Sequence, residues 1–346
     1  MADDIPTPFE GLPDWPVFGL TGDVRPDLAA AHALGSPAAL ITLYDTLGSA
    51  PRSPGAQMLV TPIGLAGFLS GGCVEGDIAV HAREAMTDWR PRRLVYGQGG
   101  PSDIRLLCGA RIDLLVEPLR PDDPAARRMA ELRAGRRPGL WLTDGETRAC
   151  LAEAETPDGL PERLKTLHAA VMQKPAEPCV LSGDLPAVGL RLRPQPRLVV
   201  VGADPTALAL CGLSHQMGFE TWLLRPKGPE APPPIPGVIY RRGLLGGELE
   251  AIGLDPWTYV AVATHDLEID EEALAFALDS PAAYVGVLGA RRRLPERQMG
   301  LRLRGVSEAG IARLKAPIGI DLGEAKAPYE IAVSIMAEVV ALARAH

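Results

Sequence analysis

The sequence predicts an α/β protein in two parts. A mixed α+β N-terminal domain (residues 1–190) precedes a domain built on a doubly wound parallel sheet (residues 191–346). Three observations carry this reading. After residue 197, short apolar runs alternate with helical patterns, the signature of parallel βαβ units. Before residue 190, apolar runs are joined by turns rich in glycine and proline, as in antiparallel hairpins. Between the two regimes lies RLRPQPR (191–197), whose two prolines and three arginines read as a linker.

In the N-terminal part, residues 39–44 (ALITLY) read as a buried strand. A Gly/Pro loop follows at 48–55, then a second strand at 56–60, a turn at Gly64 and a short third strand at 65–69. A helix opens within residues 70–77 and runs to about residue 89. Strands at 92–96 and 112–117, a helix at 124–134, and further strands with a short helix at 161–172 complete this part. Beyond the linker, strands are expected at 197–201, 220–224, 259–263 and 283–288. Helices are expected from the Gly202 loop to about residue 217, at 271–278, at about 306–314 and at 329–343, with Pro328 opening the last. The stripe Ile331, Ile335 and Val339, with Val333 and Val340, reads as core.

Composition narrows the function. The formal net charge of −8 supplies no general field for a phosphate backbone, so nucleic acid is not expected as a partner. No apolar run approaches the roughly 18 residues of a membrane span, and the acidic, proline-broken start does not read as a signal peptide. Neither a membrane nor secretion is therefore expected. Five scattered cysteines (Cys73, Cys108, Cys150, Cys179, Cys211) fit reduced thiols in the cytoplasm. The absence of C-x-x-C or H-E-x-x-H spacing argues against a sequence-local metal site.

Four sets of residues have chemistry to offer. Cys73 follows Gly71 and Gly72 at the expected helix start, where the helix N-terminus favours a thiolate. Cys73, Asp77 and His81 would then share one face at i, i+4 and i+8. Equally, Cys73 is a small buried residue and Asp77–His81 a solvated pair. Arg52, between two prolines, suits an anion or is an exposed turn residue. Gly202-Ala203-Asp204-Pro205 sits where a dinucleotide fingerprint belongs, but Asp204 replaces the second glycine. The next strand ends at Leu224-Arg225 instead of an acid, so ordinary NAD(P) binding is disfavoured. Lastly, Thr264-His265-Asp266, Gly289-Ala290-Arg291-Arg292-Arg293 and residues 317–323 (PIGIDLG) gather polar groups at strand ends. A polar crevice for a phosphate or an acidic heterocycle is expected there, the alternatives being a helix cap or a supporting hydrogen bond behind the site for His265 and surface charge for Arg292 and Arg293.

The runs GSAPRSPGAQMLV (48–60) and SGGCVEGDI (70–78) resemble the XdhC/CoxI family of accessory proteins for molybdenum hydroxylases. The likeness continues through CGA (108–110), ATHDLEID (263–270), YVGVLGARR (284–292), PIGIDLG (317–323) and PYEIAVSIMAEVVA (328–341). It implies an N-terminal XdhC/CoxI domain and a C-terminal Rossmann-like domain. It also implies a cofactor chaperone more than a catalyst. Such a protein binds the molybdenum cofactor (molybdopterin), shields it while its sulfur ligand is installed, and delivers it to a xanthine dehydrogenase-like or CO dehydrogenase-like apoenzyme. A cysteine desulfurase and a second copy of the chain are the further expected partners. On this reading Cys73 is a molybdenum ligand or sulfur relay, and Cys108 a second thiol. Gly71, Gly72, Glu75 and Gly202 line cofactor sites, Arg52 and Arg291 hold phosphate, and His265 and Asp321 hydrogen-bond the pterin. Ala290 stands where the family often has serine. A nucleotide-dependent oxidoreductase, or an adaptor that holds no cofactor, are the competing readings.

Overall fold

The computed structural model describes residues 12–100, 106, 109–174, 178–264 and 266–345, so Cys108 and His265 lie outside the described residues. The chain divides into two compact units, Met1–Pro194 and Gln195–His346. The first comprises α1 (Arg25–Ala33), β1 (Ala38–Leu47), β2 (Gln57–Val60), β3 (Leu65–Ala66), α2 (Glu75–Asp88), β4 (Arg92–Tyr96) and β5 (Arg111–Leu119). It continues with α3 (Pro124–Ala134), β6 (Gly139–Thr143), β7 (Arg148–Ala152), α4 (Glu162–Gln173), β8 (Cys179–Leu181) and β9 (Ala187–Leu192). Two antiparallel sheets result, ordered β3-β2-β1-β5-β4 and β7-β6-β9-β8.

The larger sheet is covered on both faces, which is why β1 reads as a continuous apolar run. Ala39, Ile41 and Leu43 pack with Ile78 and Ala79 of α2. Leu40 and Tyr44 on the opposite face pack with Met129 and Leu132 of α3 and Trp141 of β6. Each fully buried Leu or Ile contributes on the order of 1.5–3 kcal/mol, so β1 anchors both cores. In α2, the last turn ends on Trp89 in the left-handed region (φ 58°).

The second unit runs β10 (Arg197–Gly202), α5 (Pro205–Gln216), β11 (Glu220–Leu224), β12 (Val238–Arg241), α6 (Leu245–Ile252) and β13 (Thr258–Ala263). Then follow α7 (Leu267–Asp279), β14 (Tyr284–Val287), α8 (Leu294–Leu303), α9 (Glu308–Ala312), β15 (Leu314–Lys315) and α10 (Pro328–Ala345). All its strands pair in parallel, in the order β12-β11-β10-β13-β14-β15. This is the doubly wound order with its switch point between β10 and β13, where such sheets bind ligands. The expected fold class stands: a mixed α+β half followed by a Rossmann-like parallel sheet.

Several local expectations need correction. The third strand stops at Ala66. At Gly67 (φ 73°) a Cβ would meet the Gln57 carbonyl at 2.4 Å, so the chain turns away as only glycine allows. Residues 191–197 are not all linker: Leu192 ends β9, and Arg197 is buried in β10. There its guanidinium donates to Glu220 (2.9 Å) and to the Ile252 carbonyl (2.9 Å). The helix expected at 271–278 begins at Leu267, because Asp266 caps it by accepting from the Glu268 and Ile269 amides. Val333 is exposed, unlike Ile335 and Val339. Helices α1 and α8 carry too little apolar periodicity to be read in advance, and α6 and β12 are only 8 and 4 residues long.

Candidate functional site

The first unit's site is built around a buried carboxylate. Glu75, at the first turn of α2, is fully buried. Its Oε1 accepts from the amides of Leu69 (2.9 Å) and Ser70 (2.7 Å). Its Oε2 accepts from the Ser70 hydroxyl (2.5 Å) and the Gly72 amide (2.9 Å). The Ser70 Oγ in turn accepts from the Val74 amide (3.1 Å). Both carboxylate oxygens are thus committed to the loop's own donors. Glu75 thereby shapes the loop it belongs to.

Within that loop Gly71 (φ 79°) and Gly72 (φ 107°) adopt conformations that L side chains avoid. They deliver Cys73 half-buried, its side chain resting on the core that also supports Ala50. The helix begins after the cap at Val74, so Cys73 precedes it, and the shared face of Cys73, Asp77 and His81 does not form. Asp77 instead accepts from the Tyr96 hydroxyl (2.5 Å). His81 lies 3.6 Å from Asp77 and 3.4 Å from Glu84 on the open side of α2, the solvated arrangement. Burial and the Asp77 carboxylate together push the Tyr96 phenol well above its ordinary range, so it remains a donor.

The Gly/Pro loop is beside this one. A Cβ on Gly71 would lie 4.0 Å from the Pro51 Cβ. Arg52 is half-buried, its guanidinium 4.9 Å from the centroid of the Phe68 ring, a cation–π placement. The structure therefore brings Arg52, Gly71, Gly72 and Cys73 into one neighbourhood.

In the second unit, a cavity of about 510 Å³ opens at the switch point, lined by the ends of β10, β11 and β13. Gly202 serves packing: a Cβ there would lie 2.7 Å from both the Ala207 Cβ and the Ala263 carbonyl oxygen. Asp204 caps α5, accepting from the Ala207 amide (2.8 Å). A carboxylate thus sits where a pyrophosphate would seek the helix N-terminus. Among the described residues Arg225 is the basic group on this wall. Among the described residues the crevice is therefore less basic than expected. Arg291, exposed in a single turn of 3₁₀ helix with Arg292 and Arg293, does not line it. Nor does Asp321, which is exposed and accepts from the Gly323 amide (2.8 Å).

Sequence reasoning missed the groups that brace these loops. Buried Arg297 donates to Asp270 (2.8 Å) and to the Leu288 carbonyl (3.3 Å). Thr264 donates to the same aspartate (2.5 Å). Burial raises the Asp270 carboxyl, opposed by the bonds from Thr264 and Arg297. Glu338 accepts from the Tyr284 hydroxyl (2.5 Å) and the Gly319 amide (2.8 Å), tying the PIGIDLG loop to α10. Only a buried arginine or glutamate within an apolar pattern hints at such braces from sequence.

Known proteins share both halves of this architecture. The family model described as XdhC and CoxI family matches residues 31–97, and that described as XdhC Rossmann domain matches residues 198–339. The molybdenum cofactor insertion chaperone PaoD of Escherichia coli (strain K12) is 30% identical over 328 residues, covering 92% of this chain and 89% of PaoD. A probable xanthine dehydrogenase subunit of Bacillus subtilis (strain 168) is 25% identical over 332 residues, covering 88% of this chain and 92% of that one. A crystal structure of a xanthine dehydrogenase from Bacillus halodurans shares the fold at a TM-score of 0.72 and 23% identity, over 93% of this chain and 96% of that one. With both halves matched by its models and a relative aligned along nearly its whole length, the chain belongs to the XdhC and CoxI family.

Proposed function

We propose that this chain is a molybdenum-cofactor chaperone: it holds the cofactor as cargo, shields it, and hands it to a molybdenum hydroxylase of the xanthine dehydrogenase type. The similarity to PaoD along 92% of the chain is the observation that carries this reading. The loop geometry supports it. A thiolate is the soft protein ligand suited to molybdenum or to a sulfur in transit, and Cys73 is half-buried, held by a turn whose two glycines adopt left-handed backbone conformations. Among the described residues no group of three or more His, Cys, Asp and Glu side chains is placed to hold a metal ion. Any molybdenum held here would keep the pterin's own sulfurs as ligands, with Cys73 adding one. Arg52, beside this loop, is the group suited to the cofactor's phosphate. Cytoplasmic action, a cysteine desulfurase partner that supplies the sulfur, and assembly as a homodimer complete the proposal.

The oxidoreductase alternative loses support from the Asp204 cap, which sets a carboxylate against a dinucleotide's pyrophosphate. Reconstitution tests the chaperone reading. Cofactor-loaded protein is expected to activate a molybdenum hydroxylase apoenzyme, and Cys73→Ala loaded under the same conditions to lose most of that activation. Activation of the apoenzyme by free cofactor alone, unaltered by the chain, would remove the chaperone role; full activation by Cys73→Ala would remove the thiol from it.

A further inference from the structure

A second cleft lies in the first unit, with a volume of about 880 Å³. That is the size of small-molecule sites. One wall carries the ends of β1, β4 and β5, and the other carries β8 and the turn after it. At its base Asp113 is buried, its side chain only 3% exposed, while Arg93 and Arg111 beside it are 43% and 33% exposed. Arg111 grips the carboxylate with two bonds, Nε to Oδ2 (2.7 Å) and Nη2 to Oδ1 (2.9 Å). The Arg93 Nη2 reaches the same Oδ1 (3.3 Å). One buried negative charge therefore holds two guanidinium groups side by side. Burial works to raise the Asp113 carboxyl, but the bonds from Arg111 and Arg93 hold it below its ordinary value, so the clamp stays charged.

The backbone is also bent to suit this place. Between Leu43 and Asp45 the β1–β5 register shifts by one residue, leaving Tyr44 as a bulge. Bulges re-aim side chains, and here the Tyr44 hydroxyl is turned to within 3.5 Å of Asp113 Oδ1. Ser53, from the Gly/Pro loop singled out in the sequence, and Ser182 add hydroxyls at the walls.

Once Asp113 and the Tyr44 hydroxyl are served, Arg93 still has N–H donors to offer, and Arg111 keeps its Nη1. Adjacent guanidinium groups with spare donors match the oxygens of a phosphate. Exposed Asp45 adds a negative charge at the edge, its Oδ1 taken by the Thr46 amide (2.9 Å). That charge disfavours a polyanion and fits a single phosphate on an otherwise neutral body.

We propose that this cleft is a binding site for a phosphate monoester, with Arg93 and Arg111 as its anion donors and Asp113 as the residue that positions them. The assignment is independent of the Cys73 loop. Calorimetric titration of the purified chain with inorganic phosphate, in a phosphate-free buffer at low salt, tests it without any pterin. A failure here leaves the chaperone reading untouched, and the converse holds. Saturable binding is expected, weakened about tenfold or more in Arg93→Gln and in Arg111→Gln, the change for losing one charge-assisted hydrogen bond. Arg93→Lys keeps the charge but loses the fork, and is expected to bind several-fold more weakly than the unchanged protein while staying folded. No saturable binding by the unchanged protein, or its full affinity in folded Arg93→Gln or Arg93→Lys, would overturn the assignment and leave the Arg–Asp–Arg cluster a brace between strands.

Discussion

At the scale of single residues, Glu75 decides the shape of the cysteine loop. One fully buried carboxylate satisfies three backbone amides and a hydroxyl. Replacing it by glutamine turns an acceptor oxygen into an NH₂ group aimed at donors. Glu75→Gln is therefore expected to lower unfolding stability by about 1–3 kcal/mol in urea titrations, the cost of stranded buried donors. The same substitution is expected to change the rate at which Cys73 reacts with a thiol reagent, since the loop that presents the sulfur relaxes. Unaltered stability and unaltered reactivity would mean that the loop holds its shape by its glycines alone.

How much of this was legible in the sequence follows from the same residues. Gly71 and Gly72 announce a turn by composition, because no other residue takes φ values of 79° and 107° at low cost. The task of Glu75 was not legible: an acid near a helix start reads as a dipole partner, and nothing local says that it points back into the loop. The cleft of Arg93, Arg111 and Asp113 was hidden for another reason. Its members stand on two strands and meet only once β4 pairs with β5, and an alternating strand pattern carries no information about its partner.

At the scale of elements, the strand–loop–helix unit at Gly202 shows one architecture turned away from its usual ligand. Gly202 lets α5 approach the sheet, as the doubly wound folds require. Asp204 then closes the helix N-terminus from within. Asp204→Ala is expected to cost about 0.5–2 kcal/mol, as for other lost caps, measured by denaturant unfolding. No gain or loss in stability on this change would show that the helix start is satisfied some other way. Strands were read well because β10, β13 and β14 are buried on both faces and spell continuous apolar runs. Helix α8 was not, since LPERQMGLRL buries only Arg297 and Leu301 and shows no apolar stripe. Helix α1, with two buried residues, escaped for the same reason.

At the scale of the whole molecule, each unit has its own cores. Those around β1 and around β6 belong to the first. Those on the two faces of the parallel sheet belong to the second. The first unit carries the half-buried thiol and the two-arginine cleft, and the second a switch-point cavity whose helix N-terminus is already capped. That division suits a protein that carries a labile cargo more than one that cycles a soluble dinucleotide. No helix among the described residues is long and apolar enough to cross a membrane.

The most direct measurement is the pterin content of the protein as isolated. The chain would be produced in a host that makes molybdopterin, purified, and oxidised so that any pterin it carries is released in fluorescent form. The account predicts pterin in a fixed ratio to protein, lost or sharply reduced in Cys73→Ala at unchanged fold. Absence of pterin from the unchanged protein, under conditions where an established carrier from the same host retains it, would contradict the account at its centre.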